Sequence, residues 1–248
     1  MTRTFFAGPW PRRHQGAKNV FSMLRVFVTP WLVAVALVAL RPVPAEAQDW
    51  AVRGFADVGA VRLTAVKSFE AILGTSTGIV FGGGGEVVLP IGAFAAVRAS
   101  QFQKSGERVF VFEDETFPLG IDTTIRVRPL EISGGYRFAR RARRTPVPAR
   151  PIAPPRIIPY VGGGIGWHRY EETSDFADDS ENVDETFRGY HLLGGAEVRV
   201  TRWLGVGGEF QWTTVPDALG QDPNGVSAAF DESNLGGAAF RVRLVIGL

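Results

Sequence analysis

Ten charged residues of this chain, Arg53, Asp57, Glu86, Arg98, Glu131, Glu197, Arg199, Glu209, Arg241 and Arg243, stand in stretches where apolar residues recur at every second position. Two is the side-chain period of a β-strand, so each stretch has one apolar and one polar or charged face. Charges of both signs enclosed on one side of a sheet can neutralise each other as ion pairs, because an unpaired buried charge is costly. The same groups, if they exchange partners, could gate a narrow polar passage. A second cluster lies between Glu171 and Glu185, where Asp175, Asp178, Asp179 and Glu181 form a candidate cation site in a loop. Hard cations such as calcium take several carboxylate oxygens. The EF-hand glycine is missing, and a plain solvated acidic loop is the competing reading.

Other chemistry finds little support. His168 and His191 are the histidines beyond residue 47. A catalytic His168 would want a serine one strand step away, but residue 170 is Tyr170; His191 beside Tyr190 has no nucleophile near it in sequence. Packed or interfacial imidazoles are expected for both, and no enzyme activity. The glycine runs 82–85 and 162–164 are followed by neither Lys-Ser/Thr nor a helix pattern, so phosphate-loop and dinucleotide readings fail. Strand glycines that give curvature or interior room remain. No metal centre and no cofactor is expected.

Eight alternating stretches must position these groups: Trp50–Leu63, Ile79–Leu89, Ala93–Gln103, Thr123–Phe138, Tyr160–Glu171, Phe187–Val200, Leu204–Val215 and Leu235–Leu248. In the fourth, Leu130, Ile132, Tyr136 and Phe138 oppose Glu131, Ser133 and Arg137. Each stretch reaches the about 9–11 residues of a tilted membrane-crossing strand, where ordinary strands have about 5–6. No segment beyond residue 47 reads as a long amphipathic helix. Links between stretches alternate between short (Pro90-Ile91-Gly92, Thr201-Arg202-Trp203) and longer and polar. That asymmetry fits short inner turns and four longer outer loops. Trp167, Tyr170, Tyr190, Trp203 and Trp212 read as an aromatic girdle. One link breaks the pattern, the Pro/Arg-rich connection at 139–159, expected to be an extended periplasmic excursion.

The start of the chain is a separate matter. An apolar run through Leu40 has Arg25 at its front and Ala45-Glu46-Ala47 behind, which is the pattern of a signal peptide cut after Ala47. Its core is shorter than the roughly 20 residues of a spanning helix. Met23 opens a leader of ordinary length, so translation is expected to begin there. Residues 1–47 hold six basic side chains and one acid, so without them the formal charge falls from +2 to −3. The basic balance is therefore no argument for nucleic acid. With no cysteine, there is no disulfide framework. The expectation is an all-β chain: an eight-stranded antiparallel up-and-down transmembrane β-barrel at 48–248, preceded by a cleaved signal peptide.

The strand pattern, with SGGYRF (Ser133–Phe138), PYVGGGIGW (Pro159–Trp167) and the final FRVRLVIGL, resembles the small eight-stranded outer-membrane barrels, the superfamily that includes the OmpA transmembrane domain, OmpX and OmpW. Leu248 departs from the terminal aromatic usual there. The resemblance implies an outer-membrane protein, exported through the periplasm, monomeric, in contact with outer-membrane lipid and glycolipid. It also implies recognition of the C-terminal strand by the barrel-assembly machinery. An envelope-structural role with a small-solute channel of porin type is the leading expectation. Surface adhesion through the four outer loops is the alternative; a lipid-modifying barrel enzyme, or a soluble exported ligand-binding barrel, stands further back.

Overall fold

The computed structural model describes residues 50–112, 115–138, 157–174, 182–201, 203–221 and 225–247. The expected leader, residues 139–156 of the Pro/Arg-rich connection, and Asp175, Asp178, Asp179 and Glu181 lie outside the described residues.

Eight strands form: β1 (Ala51–Leu63), β2 (Thr77–Val88), β3 (Ala93–Phe112), β4 (Glu115–Arg137), β5 (Ile157–Ser174), β6 (Val183–Arg199), β7 (Leu204–Thr214) and β8 (Gly237–Gly247). Each pairs antiparallel with the next, and β8 returns to β1, with Asp57 opposite Arg243 and Arg53 opposite Gly247. Closure leaves no unpaired edge within the barrel wall itself. The fold is thus an eight-stranded up-and-down antiparallel barrel.

One rim carries tight turns. Between β2 and β3 the Gly92 N–H donates to the Leu89 carbonyl at 2.9 Å, and the Leu89 N–H donates to the Ala93 carbonyl at 2.8 Å. Gly92 sits at φ 95°, and a Cβ there would lie 2.7 Å from the Arg137 carbonyl oxygen, so the position admits only glycine without strain. The opposite rim carries the longer connections, and two of them differ from the sequence expectation.

The alternation places a polar loop between Gln103 and Thr123. Instead β3 and β4 run on as a two-stranded ribbon, with a register shift between Glu107 and Val109 and with Phe110 opposite Phe117. Val109, Phe110 and Val111 are strong strand formers that keep the pairing alive past the glycines. Gly120, at φ 69°, takes up the irregularity and donates its N–H to Glu107 Oε1 at 2.5 Å.

Between β1 and β2 a short helix forms, α1 (Val66–Leu73). It buries Phe69 and Leu73, one turn apart, in a cluster with the inward-facing Leu63, Phe102, Ile125, Val127, Tyr170 and Val215, and with Leu219 and Leu235 of the β7–β8 connection. That connection contains a single helical turn, α2 (Val226–Ala229). The α1 N-terminus is held by Glu232, whose Oε2 accepts from the Ser68 N–H at 2.8 Å and the Ser68 hydroxyl at 2.6 Å. A carboxylate at that end satisfies orphan N–H groups and meets the positive end of the helix dipole. The loop end of the barrel is thus filled by an apolar plug.

Outside, the polarity is reversed relative to a soluble protein. Val58, Ile79, Phe81, Val97, Leu130, Ile132, Leu192, Phe210, Phe240 and Val242 are all exposed. Trp167, Tyr190 and Trp212 are exposed toward the loop side of this band, and Tyr136, Phe138 and Trp203 toward the turn side. Tyr170 corrects the girdle reading. It is three residues from Trp167, so strand parity turns it to the other face, and it is buried in the plug.

Candidate functional site: the charged barrel interior

Below the plug the interior is ionic. Arg53, Asp57, Glu86, Arg98, Glu131, Glu197, Glu209, Arg241 and Arg243 are all buried, as is Arg137. Among the described residues, five arginines therefore meet five carboxylates. Nine of the ten residues singled out by alternation are brought together. Arg199 is not: it has inward parity, but lies at the turn rim where β6 ends, and it is exposed beside Thr201 and Trp203. Arg137, which alternation puts on the same face of β4 as Glu131, joins the network although it was not singled out.

The pairs form two linked groups. Near the turn rim Arg53 reaches Glu197 at 2.8 Å and also Glu86; Arg137 reaches Glu86 at 3.3 Å and also Glu197. Two arginines thus share two carboxylates from strands on opposite sides of the barrel. Higher up, Arg98 reaches Glu209 at 2.5 Å and Asp57 at 3.1 Å, and donates to Gln211 Oε1 at 2.8 Å. Arg241 donates to the same Gln211 oxygen and lies 3.8 Å from Asp57. Gln211 in turn donates to Glu131 at 2.6 Å. Arg243 joins the groups, at 2.9 Å from Glu209 and 3.5 Å from Glu86. Tyr160 donates its hydroxyl to Glu209 at 3.0 Å.

Small and aromatic residues make room for this. The Arg243 guanidinium lies 4.0 Å from the Phe55 ring centroid, and Arg98 covers Phe55 at 5.3 Å. Both cations lie within cation–π distance of the ring. Phe55 fits because Gly84 faces it: a Cβ at Gly84 would stand 2.9 Å from the Phe55 ring and 1.9 Å from the Val97 carbonyl oxygen. The inward strand glycines are therefore space for the network.

One constellation was missed. Ser133 Oγ and His191 Nε2 are 2.8 Å apart, and His191 Nδ1 is 3.8 Å from Glu131. Ser133 is 58 positions from His191, so nothing near His191 in sequence announces it. Serine, histidine and carboxylate are the parts of an acyl-transfer triad. Here Glu131 is too far to orient the imidazole through Nδ1 and accepts from Gln211 instead. All three side chains are buried between the plug and the ion pairs. What the arrangement supplies is a hydrogen bond that joins β4 to β6 over the intervening β5. His168 is buried and faces the interior, and its Nε2 meets no hydrogen-bonding partner among the described residues. No group of three or more acidic, histidine or cysteine side chains suited to a metal occurs among the described residues.

Neither a protein-family model nor a curated protein matches the chain. Among solved structures, the chain is similar to a major outer membrane protein from Thermus thermophilus, at 8% identity, covering 81% of this chain and 100% of that one, with a TM-score of 0.48. Neisserial surface protein A gives 12% identity, 80% and 97% coverage and a TM-score of 0.46. The N-terminal β-barrel domain of Pseudomonas aeruginosa OprF gives 10%, 82%, 100% and 0.44. The chain's own strand pairing, closed from β8 back to β1, shows the fold.

Proposed function

We propose that the chain is an integral outer-membrane barrel with a closed lumen and an envelope-structural role. The observation that carries this reading is the inversion of polarity: ten charges inside, and a continuous band of exposed Val, Ile, Leu and Phe outside. In water that band would leave a large apolar surface unburied. In a bilayer it is matched to the lipid, and the aromatic residues at its borders suit the interface. Among the described residues no helix is long and apolar enough to cross a membrane, so the strands would do so. Antiparallel closure satisfies their backbone groups without water.

The filled interior supports a structural role over a solute channel. An eight-stranded barrel has room for side chains and little else, and here ion pairs occupy one half and the apolar plug the other. Expression in a Gram-negative host tests the placement. The chain should remain in outer-membrane fractions after carbonate extraction and show a heat-dependent shift in electrophoretic mobility. Recovery in the soluble periplasm would overturn the reading.

A further inference from the structure

Four arginines gather on the outer wall of the barrel, immediately above the apolar band. Outward residues of β4, β5 and β6 form successive rungs. Leu130 stands opposite Trp167, and Trp167 opposite Arg188. One rung further from the turn rim, Arg128 stands opposite Arg169, and on the next Arg126 is opposite Glu171, which is opposite Asp184. Rungs on one face are about 7 Å apart along a strand. The cluster therefore lies where the wall passes from apolar side chains to charge.

Its internal balance is poor. Glu171 serves three cations, at 3.4 Å from Arg126, 3.0 Å from Arg128 and 3.0 Å from Arg169. Asp184 binds Arg169 through two hydrogen bonds of 2.7 and 2.6 Å. Among the described residues, four arginines and two carboxylates leave an excess of two positive charges. Like charges directly opposite across two strands destabilise a sheet, and Arg128 and Arg169 are such a pair. Their side chains remain 35% and 26% exposed, so their remaining donors are accessible from outside. Planar guanidinium forks are suited to bidentate binding of phosphate.

We propose that Arg126, Arg128, Arg169 and Arg188 bind the phosphate of an anionic glycolipid in the surrounding outer leaflet. This rests on the membrane reading above. The occupant is a lipid because Leu130, Ile132, Ile165 and Trp167 continue the same wall downward, and acyl chains would lie along it while the phosphate met the arginines.

The full chain would be expressed in a Gram-negative host, purified from carbonate-resistant membranes and placed in phosphatidylcholine nanodiscs. The discs would contain equal small amounts of a bisphosphorylated diglucosamine acyl lipid and its dephosphorylated form. Lipids that stay bound after stripping would be quantified by mass spectrometry. The expected result is retention of the phosphorylated form in about fivefold excess. The excess should fall to near parity in Arg128→Gln/Arg169→Gln and persist in Arg62→Gln, which removes a cation from β1. Arg128→Lys/Arg169→Lys keeps the charge but loses the fork, and should fall between. Each variant would first be required to show the folded mobility of the parent; if the Gln pair fails, the Lys pair carries the comparison. Parity in the parent protein, or an excess unchanged in both the Gln and Lys pairs, overturns the proposal alone. Absence of the chain from carbonate-resistant membranes overturns the membrane reading and this proposal with it.

Discussion

Glu209 is the carboxylate on which Arg98 and Arg243 converge. It accepts from Arg98, Arg243 and Tyr160 at once, so replacing it by alanine takes the nearest carboxylate from two buried cations and leaves the enclosed charge unbalanced. Breaking a buried pair from one side costs about 3–5 kcal/mol. Glu209→Ala should therefore lower the urea midpoint of the lipid-refolded barrel strongly, whereas Arg199→Leu at the exposed rim should leave it almost unchanged. Equal midpoints would contradict a paired ionic interior. Ser133→Ala leaves the buried His191 Nε2 without its partner and should cost about 1–3 kcal/mol by the same measurement, the penalty of one unsatisfied buried polar group. Residue by residue, the interior was legible wherever alternation was clean: Arg53 and Asp57, or Arg241 and Arg243, declare their facing by two-residue spacing alone. Parity failed for Arg199, because facing is not burial at the end of a strand. It was not applied to Tyr170, whose aromatic character near a strand end suggested an interface. It could not reveal Ser133 beside His191, since strand-to-strand register is not written in either segment.

Among the elements, α1 and the β3–β4 ribbon were the parts hidden from sequence. Eight residues are too few for helical periodicity to stand out, and α1 is stable only because Phe69 and Leu73 find an apolar cluster and Glu232 meets its first turn. Glu232→Ala should loosen that helix selectively. The expected sign is faster trypsin cleavage after Lys67 in the folded protein, with the barrel's heat-shifted mobility retained; an unchanged cleavage rate would show that the plug does not depend on this carboxylate. The ribbon was obscured because Gly106, Pro118 and Gly120 read as loop residues, while the pairing that overrides them joins Phe110 to Phe117.

The described residues form a wall of eight strands around two filled layers, one ionic and one apolar. In planar bilayers the inserted barrel is expected to be electrically silent, and discrete, reproducible conductance steps would refute the closed-lumen reading. The eight strands, their order and their alternation were readable because a barrel of neighbouring hairpins needs only local information. The plug was not, because it joins residues from β1, β3, β4, β5 and two connections.

The charge balance of the interior also bears on the order in which the barrel is built. Two of the five buried arginines, Arg241 and Arg243, belong to β8, which contributes no buried carboxylate. A seven-stranded intermediate would therefore enclose three cations and five anions, with Glu209 lacking one of its partners and the β1–β8 seam open. Addition of the final strand seals the seam and makes the interior electroneutral in one event. A barrel closed without β8 would thus be opposed by electrostatics as well as by missing backbone pairing, since only β8 brings the cations that balance the enclosed carboxylates.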